Sequence, residues 1–173
     1  QEFGVKTLSI QPGGPVIGTG LTYEQAGERF AESLSKCVET ARKCNVILAV
    51  EPEPGLLIQT AQEYLDFKTK YFKDEPMVRM NCDTGHLFCV GDDPADVIRK
   101  HREHIAHVHL EDIGANHVHQ HLTPGKGAMD FPAIFKALDD IGYQDWVTVE
   151  LYPYETTAAG VAKAAYDHLK PMA

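Results

Sequence analysis

Four side chains suited to holding one divalent cation stand at the ends of four separate apolar runs: Glu51, Asp83, His109 and Glu150. The runs are Val-Ile-Leu-Ala-Val-Glu, Met-Val-Arg-Met-Asn-Cys-Asp, Ile-Ala-His-Val-His and Trp-Val-Thr-Val-Glu. Carboxylates and one imidazole are hard or borderline ligands, which suits Mn²⁺, Mg²⁺, Co²⁺ or Zn²⁺ and disfavours soft-metal chemistry. The absence of a Cys ligand speaks against a structural zinc. A single polar residue at a strand end is common and carries no message, whereas four of them on successive strands point to a shared centre.

The elements that must position these groups follow from periodicity. Short β-branched runs alternate with longer helical stretches, five times over and with no internal linker. Strands are expected over Val5 to Ile10, Val46 to Glu51, Met77 to Asp83, Ile105 to Leu110 and Trp146 to Leu151. A helix starts at Thr22, where Gln25 completes a capping box, and its apolar stripe runs to about Cys44. Further helices are expected from about Thr60 to Tyr71, after Asp93-Pro94, from Phe131 to Ile141 behind an Asp130 N-cap and before Gly142, and finally up to Lys170-Pro171.

Alternation within each strand decides which side chains share a face. Val46, Leu48 and Val50 oppose Ile47, Ala49 and Glu51; Val78, Met80 and Cys82 oppose Arg79, Asn81 and Asp83. Ala106, Val108 and Leu110 oppose His107 and His109, while Val147, Val149 and Leu151 oppose Trp146, Thr148 and Glu150. One face is greasy and meets helices; the other turns polar toward its end and lines a site. By the same rule Thr7, Ser9 and Gln11 share the site face, which makes Gln11 a fifth and weak ligand candidate. Chemistry placed where buried strands meet their following loops is what an α/β protein of the (β/α) barrel type shows.

Composition narrows the class. A chain of 173 residues, 43% hydrophobic, builds one sizeable core. A net charge of -9 and a pI near 5.4 argue against a nucleic-acid backbone as partner. No apolar run reaches the roughly 18 residues of a membrane span, and no signal-peptide pattern opens the chain. Cys37, Cys44, Cys82 and Cys89 show no C-x-x-C spacing and read as reduced thiols; Cys37 and Cys44 lie about two turns apart on one helix, too far for a disulfide. A cytoplasmic protein with no membrane partner is the expectation.

With these residues in view, the chain resembles the xylose isomerase-like TIM-barrel superfamily, which holds sugar and sugar-phosphate isomerases and epimerases together with endonuclease IV-type enzymes. The carriers are Ala-Val-Glu-Pro-Glu-Pro-Gly at 49–55, Asn-Cys-Asp-Thr-Gly-His at 81–86, His-Val-His-Leu-Glu-Asp at 107–112, Pro-Gly-Lys-Gly-Ala-Met-Asp-Phe at 124–131 and Ile-Gly-Tyr-Gln-Asp-Trp-Val-Thr-Val-Glu at 141–150. The resemblance to the epimerase branch implies that Glu51, Asp83, His109 and Glu150 hold the metal, that Glu51 and Glu150 are the acid/base pair, and that His86 contacts substrate. It implies a divalent-metal-dependent isomerase or epimerase of carbohydrate metabolism, with manganese among the expected ions and a sugar or sugar phosphate as substrate. The alternatives are a metal-dependent phosphodiesterase of the AP-endonuclease type and a non-catalytic metal- or sugar-binding module.

Further candidates surround this set. His119 and His121 precede Pro124-Gly125-Lys126-Gly127 much as an Asp/His ligand pair does in the nucleases, so they are candidates for a second metal or for substrate; the reading favoured here is that His117, His119 and His121 are exposed loop residues or that one of them orients substrate. Lys126 and its flanking glycines are candidates for a phosphate cradle, equally for a plain turn. Glu53 and Glu111 are placed near the mouth, as contacts to sugar hydroxyls or as solvated carboxylates, and Trp146 and Phe88 as an apolar wall or as core. Five strand–helix units do not close an eight-stranded barrel. Residues 1–173 are therefore expected to be the C-terminal part of a single TIM-barrel domain, its open edge covered by a missing N-terminal segment or by a homo-oligomer.

Overall fold

Five short strands carry the framework of this structure, a computed structural model that describes residues 2–173. They are β1 (Thr7–Ile10), β2 (Ile47–Val50), β3 (Val78–Asp83), β4 (Ile105–Leu110) and β5 (Val147–Val149). The strands are hydrogen-bonded in chain order, β1-β2-β3-β4-β5. Registers are parallel: Thr7 lies opposite Ile47, Leu48 opposite Val78, and Val108 opposite Val147. Parallel neighbours need long crossovers, which helices supply: α1 (Tyr23–Cys44), α2 (Ala61–Phe72), α3 (Thr84–Cys89) with α4 (Pro94–Lys100), and α5 (Phe131–Asp140), with α6 (Ala158–Leu169) following β5. The fold is α/β of the (β/α) TIM-barrel type with five βα units. Packing divides the chain into two units, one of residues up to Asn81 with His104–His107, the other of Cys82–Glu103 with Val108–Ala173.

In the first unit, Thr22 and Gln25 form the expected capping box, and the stripe Gly27, Ala31, Leu34, Val38 and Ala41 is buried. Asn45 ends α1 in the left-handed conformation (φ 53°), sending its N–H to the carbonyls of Ala41 and Arg42. A second capping box, Thr60 with Glu63, starts α2, whose Tyr64, Phe67 and Phe72 are buried. Phe67 meets Phe30 of α1 with ring centroids 5.2 Å apart. Leu48, Ala49 and Val50 of β2 are at most 4% exposed, so this strand is covered on both faces as a parallel strand requires.

In the second unit, Asp93 and Asp130 cap α4 and α5, each with Pro in the first turn. These helices pack together, with Ile98, Ile134, Ala137 and Leu138 buried. Each buried Ile or Leu side chain contributes about 1.5–3 kcal/mol. In β4, Ala106, Val108 and Leu110 are buried while His107 and His109 are half-buried, as alternation requires.

Three differences from the sequence reading bear on the site. β1 and β5 are shorter than expected, so that Glu150 lies one residue past its strand. Trp146, expected on the site face of β5, precedes that strand and is 83% exposed; it forms neither wall nor core. The six-residue helix α3, which follows β3 without a loop, was not foreseen. No helix among the described residues is long and apolar enough to cross a membrane, and the four cysteines are free thiols.

Candidate metal and substrate site

The first unit carries one acidic candidate at a strand end. Glu51 follows β2 directly, is 7% exposed, and sends its backbone N–H to the Ile10 carbonyl at 2.9 Å. Its Oε2 accepts from the Ser9 hydroxyl at 3.0 Å, and Ser9 Oγ accepts in turn from Asn81 Nδ2 at 3.0 Å. Glu53 is half-buried in the following turn, while Gln11 is exposed.

In the second unit, Asp83 closes β3 and caps α3, its Oδ1 accepting from the His86 N–H at 2.8 Å. The other oxygen, Oδ2, is buried without a hydrogen-bond partner. It faces His109 Nδ1 at 3.7 Å, and that nitrogen lies 3.7 Å from Glu150 Oε2. These separations are too long for hydrogen bonds. They are close to the spacing of about 3.4 Å between two ligand atoms that share one tetrahedral cation at bonds of about 2.1 Å. The Glu150 N–H is fixed to the Leu110 carbonyl at 2.8 Å, but its side chain remains 43% exposed. His109 holds the Glu150 carboxyl below the ordinary value, against the opposing effect of burial. Donor types, spacing and the orphaned Asp83 oxygen fit a divalent cation.

Beside this group stand three imidazoles. His86 lies on α3 and is 3% exposed; its ring centroid is 4.6 Å from that of His119 and 5.8 Å from that of His121. His119 Nε2 and His121 Nε2 face each other at 3.0 Å. Burial, then the neighbouring imidazoles, push the His119 pKa down, which keeps that ring neutral and available as a ligand. The expectation of three exposed loop histidines is corrected for His121, which is buried at 7% exposure because Asp112 and Leu122 pair as an isolated antiparallel bridge and fold the loop back. His117 stays apart, stacked on Phe88 at 4.3 Å, with Nδ1 2.6 Å from the Phe88 carbonyl oxygen. Phe88 is therefore a support for His117.

Two further corrections concern neighbours in sequence. Glu111, placed at the mouth by the sequence reading, is fully buried, and neither carboxyl oxygen has a hydrogen-bond partner. Burial, then the charge of Asp83, push its pKa well above the ordinary value. Gly85 makes room for it: a Cβ there would lie 1.7 Å from Glu111 Oε1. Ligand atoms of Asp83, His86 and Glu111 lie within 4.8 Å of one another, as do those of Glu111, His121 and Glu150. Asp112, which the sequence reading passed over, accepts from the backbone N–H groups of Ile113, Gly125, Gly127 and Met129 at 2.7–3.2 Å. The amides expected to cradle a phosphate around Lys126 are thus taken by Asp112, and the Lys126 N–H itself bonds the Thr123 carbonyl; the Lys126 side chain is exposed.

The likenesses of this chain converge on one family. Inosose dehydratase of Clostridium perfringens is 32% identical over 149 residues, which cover 77% of this chain and 50% of that protein. The chain spans about half the length of the curated relatives it matches. The crystal structure of IolI protein with a binding zinc atom superposes with a TM-score of 0.78 at 22% identity, covering 98% of this chain and 65% of the other. An L-ribulose 3-epimerase structure gives a TM-score of 0.71 at 26% identity, with 94% and 59% covered. The family model described as xylose isomerase-like TIM barrel matches residues 1–172, and the chain belongs to that family.

Proposed function

We propose that this chain is the C-terminal part of a single TIM-barrel domain whose enzyme forms an enolate from a sugar or sugar-like ketone, with a divalent cation held by Asp83, His109 and Glu150 together with Glu51. The observation that carries this reading is the buried, unpartnered Asp83 Oδ2 facing His109, which in turn faces Glu150. Bound there, a divalent cation supplies Lewis-acid polarisation of the substrate carbonyl. Glu150, half-exposed and kept ionised by His109, removes the proton from the carbon next to that carbonyl. Glu51, buried and held by Ser9, is the second member of the acid/base pair and returns a proton. His86 contacts substrate hydroxyls, and Glu53 is placed to do the same. His119 and His121 serve either substrate or a second cation, with manganese, magnesium, cobalt and zinc all compatible with the donor set.

Return of the proton to the same carbon from the opposite face gives an epimer, and its delivery to the neighbouring carbon gives an isomer. Loss of hydroxide from the carbon beyond the enolate gives a dehydrated product instead. This last outcome is a second reading with its own support, the likeness to inosose dehydratase. Both begin with the same proton removal. The test is metal content together with solvent deuterium entering a ketose C–H bond, comparing the parent with Glu51→Gln and Glu150→Gln. Exchange by the parent and loss of about two orders of magnitude in each variant is the expected result. Exchange at the parent rate in both variants, or cleavage of an abasic duplex in place of exchange, overturns the proposal.

A further inference from the structure

Glu51, one of the two glutamates assigned to proton transfer, carries a side-chain hydroxyl on its carboxylate, with a second polar side chain behind it. Asn81 is fully buried at the end of the first unit, on the face of β3 shared with Arg79 and Asp83. Its Nδ2 donates to Ser9 Oγ at 3.0 Å, and Ser9 Oγ lies 3.0 Å from Glu51 Oε2. A serine hydroxyl has one hydrogen and two lone pairs. Because the amide hydrogen of Asn81 occupies a lone pair, the hydroxyl hydrogen is directed to the carboxylate. Backbone pairing fixes Ser9 and Glu51 against each other: Ser9 lies opposite Ala49 in the β1–β2 register, and the Glu51 N–H donates to the Ile10 carbonyl.

From this geometry we infer that Ser9 is a positioning residue for Glu51 and that Asn81 sets the direction of the Ser9 hydroxyl. The hydroxyl fixes rotation about the last bond of the Glu51 side chain, so that one carboxylate oxygen is committed to Ser9 and the other is presented in a single direction. A hydrogen bond to an ionised group holds more strongly than one between neutral partners. Partners of this kind, standing behind a ligand, typically change metal affinity or activity by about 10–100-fold when removed. Strand β1 thereby acquires a role in the site although it supplies no ligand of its own. The inference rests on the acid/base and ligand roles proposed for Glu51.

The experiment compares the parent with Ser9→Ala, Ser9→Thr and Asn81→Asp. The readouts are Mn²⁺ affinity by competition with a chelating dye, kcat and KM for deuterium exchange, and the melting temperature of the metal-free protein. Ser9→Ala is expected to weaken Mn²⁺ binding and lower kcat by about 10-fold or more, with KM and melting temperature near the parent values. Ser9→Thr keeps the hydroxyl, suits a strand, and is expected to restore both quantities. Asn81→Asp offers the Ser9 hydroxyl a competing acceptor, and its expected effect resembles that of Ser9→Ala. Parent-like Mn²⁺ affinity and kcat in Ser9→Ala overturn the inference while leaving the role of Glu51 standing. An equal loss in Ser9→Ala and Ser9→Thr with a lowered melting temperature also overturns it, since packing alone then explains the effect. A parent protein that takes up no Mn²⁺ and exchanges no deuterium removes the functional reading itself, and the inference falls with it.

Discussion

Two buried aspartates in the second unit stand at the ends of consecutive strands and perform opposite tasks. Asp112 directs its carboxylate entirely to the backbone, accepting four N–H groups from the loop that follows β4. Asp83 gives one oxygen to the first turn of α3 and leaves the other without a partner, facing His109. Both are about 1% exposed, so burial does not distinguish them. What differs is acceptor capacity. A carboxylate with all its acceptors engaged holds a fold together, whereas one with a buried acceptor left over needs a proton or a cation.

The contrast is broken most severely by Asp112→Ala. Four amides would lose their acceptor at once, and each buried donor left unsatisfied costs about 1–3 kcal/mol, part of which entering water recovers. A loss of about 3–5 kcal/mol in unfolding free energy is expected, read from the urea midpoint, together with proteolytic cutting between residues 113 and 129. A loss below about 1 kcal/mol would mean that the loop does not depend on this carboxylate. Asp83→Asn probes the other half. Asparagine caps helices as well as aspartate, so the metal-free protein is expected to keep its stability within about 1 kcal/mol. The parent should gain about 2.7 kcal/mol from a cation at one hundred times its Kd, and the variant most of that less. Equal cation-induced shifts in melting temperature would show that Asp83 is no ligand.

The difference between the two aspartates also marks the limit of what the sequence disclosed. Helix caps were legible because they are local: Thr22 with Gln25 and Asp130 before Phe131-Pro132 each signal within four residues. Strand alternation puts Asp83, His109 and Glu150 on one face, since a period of two needs no knowledge of partners. The same alternation, carried two residues past His109, puts Glu111 on the site face; treating it as a loop carboxylate concealed its burial. Asp112 was hidden for a different reason, because its amides lie 13 to 17 residues away for Gly125, Gly127 and Met129. The pairing of Asp112 with Leu122 that returns His121 to His86 is equally non-local. Helix α3 escaped because a six-residue helix has little periodicity and its cap is the proposed ligand Asp83 itself.

The smallest expected effect sharpens the comparison most, because Glu111 separates the two aspartates in kind. It shares the acceptor surplus of Asp83 but has no cap to form, and with Asp83 charged beside it a proton is the economical occupant in the absence of a cation. Unfolded, its carboxyl ionises near 4.5; folded, burial first and Asp83 second hold it protonated to well above that. Between those two values the native state keeps a proton that the unfolded chain has released, so this group favours the native state least once pH has risen through the window. Its contribution is greatest below about 4.5 and declines as pH rises toward the folded value. Glu111→Gln preserves the shape of the protonated acid and cannot titrate. In chelator-treated protein the variant is expected to melt with the parent near pH 4.5 and about 2–4 °C above it near neutrality, the difference growing with pH. Melting curves that stay parallel across that range would place the proton elsewhere and return Glu111 to the class of Asp112, a carboxylate whose charge the fold already satisfies.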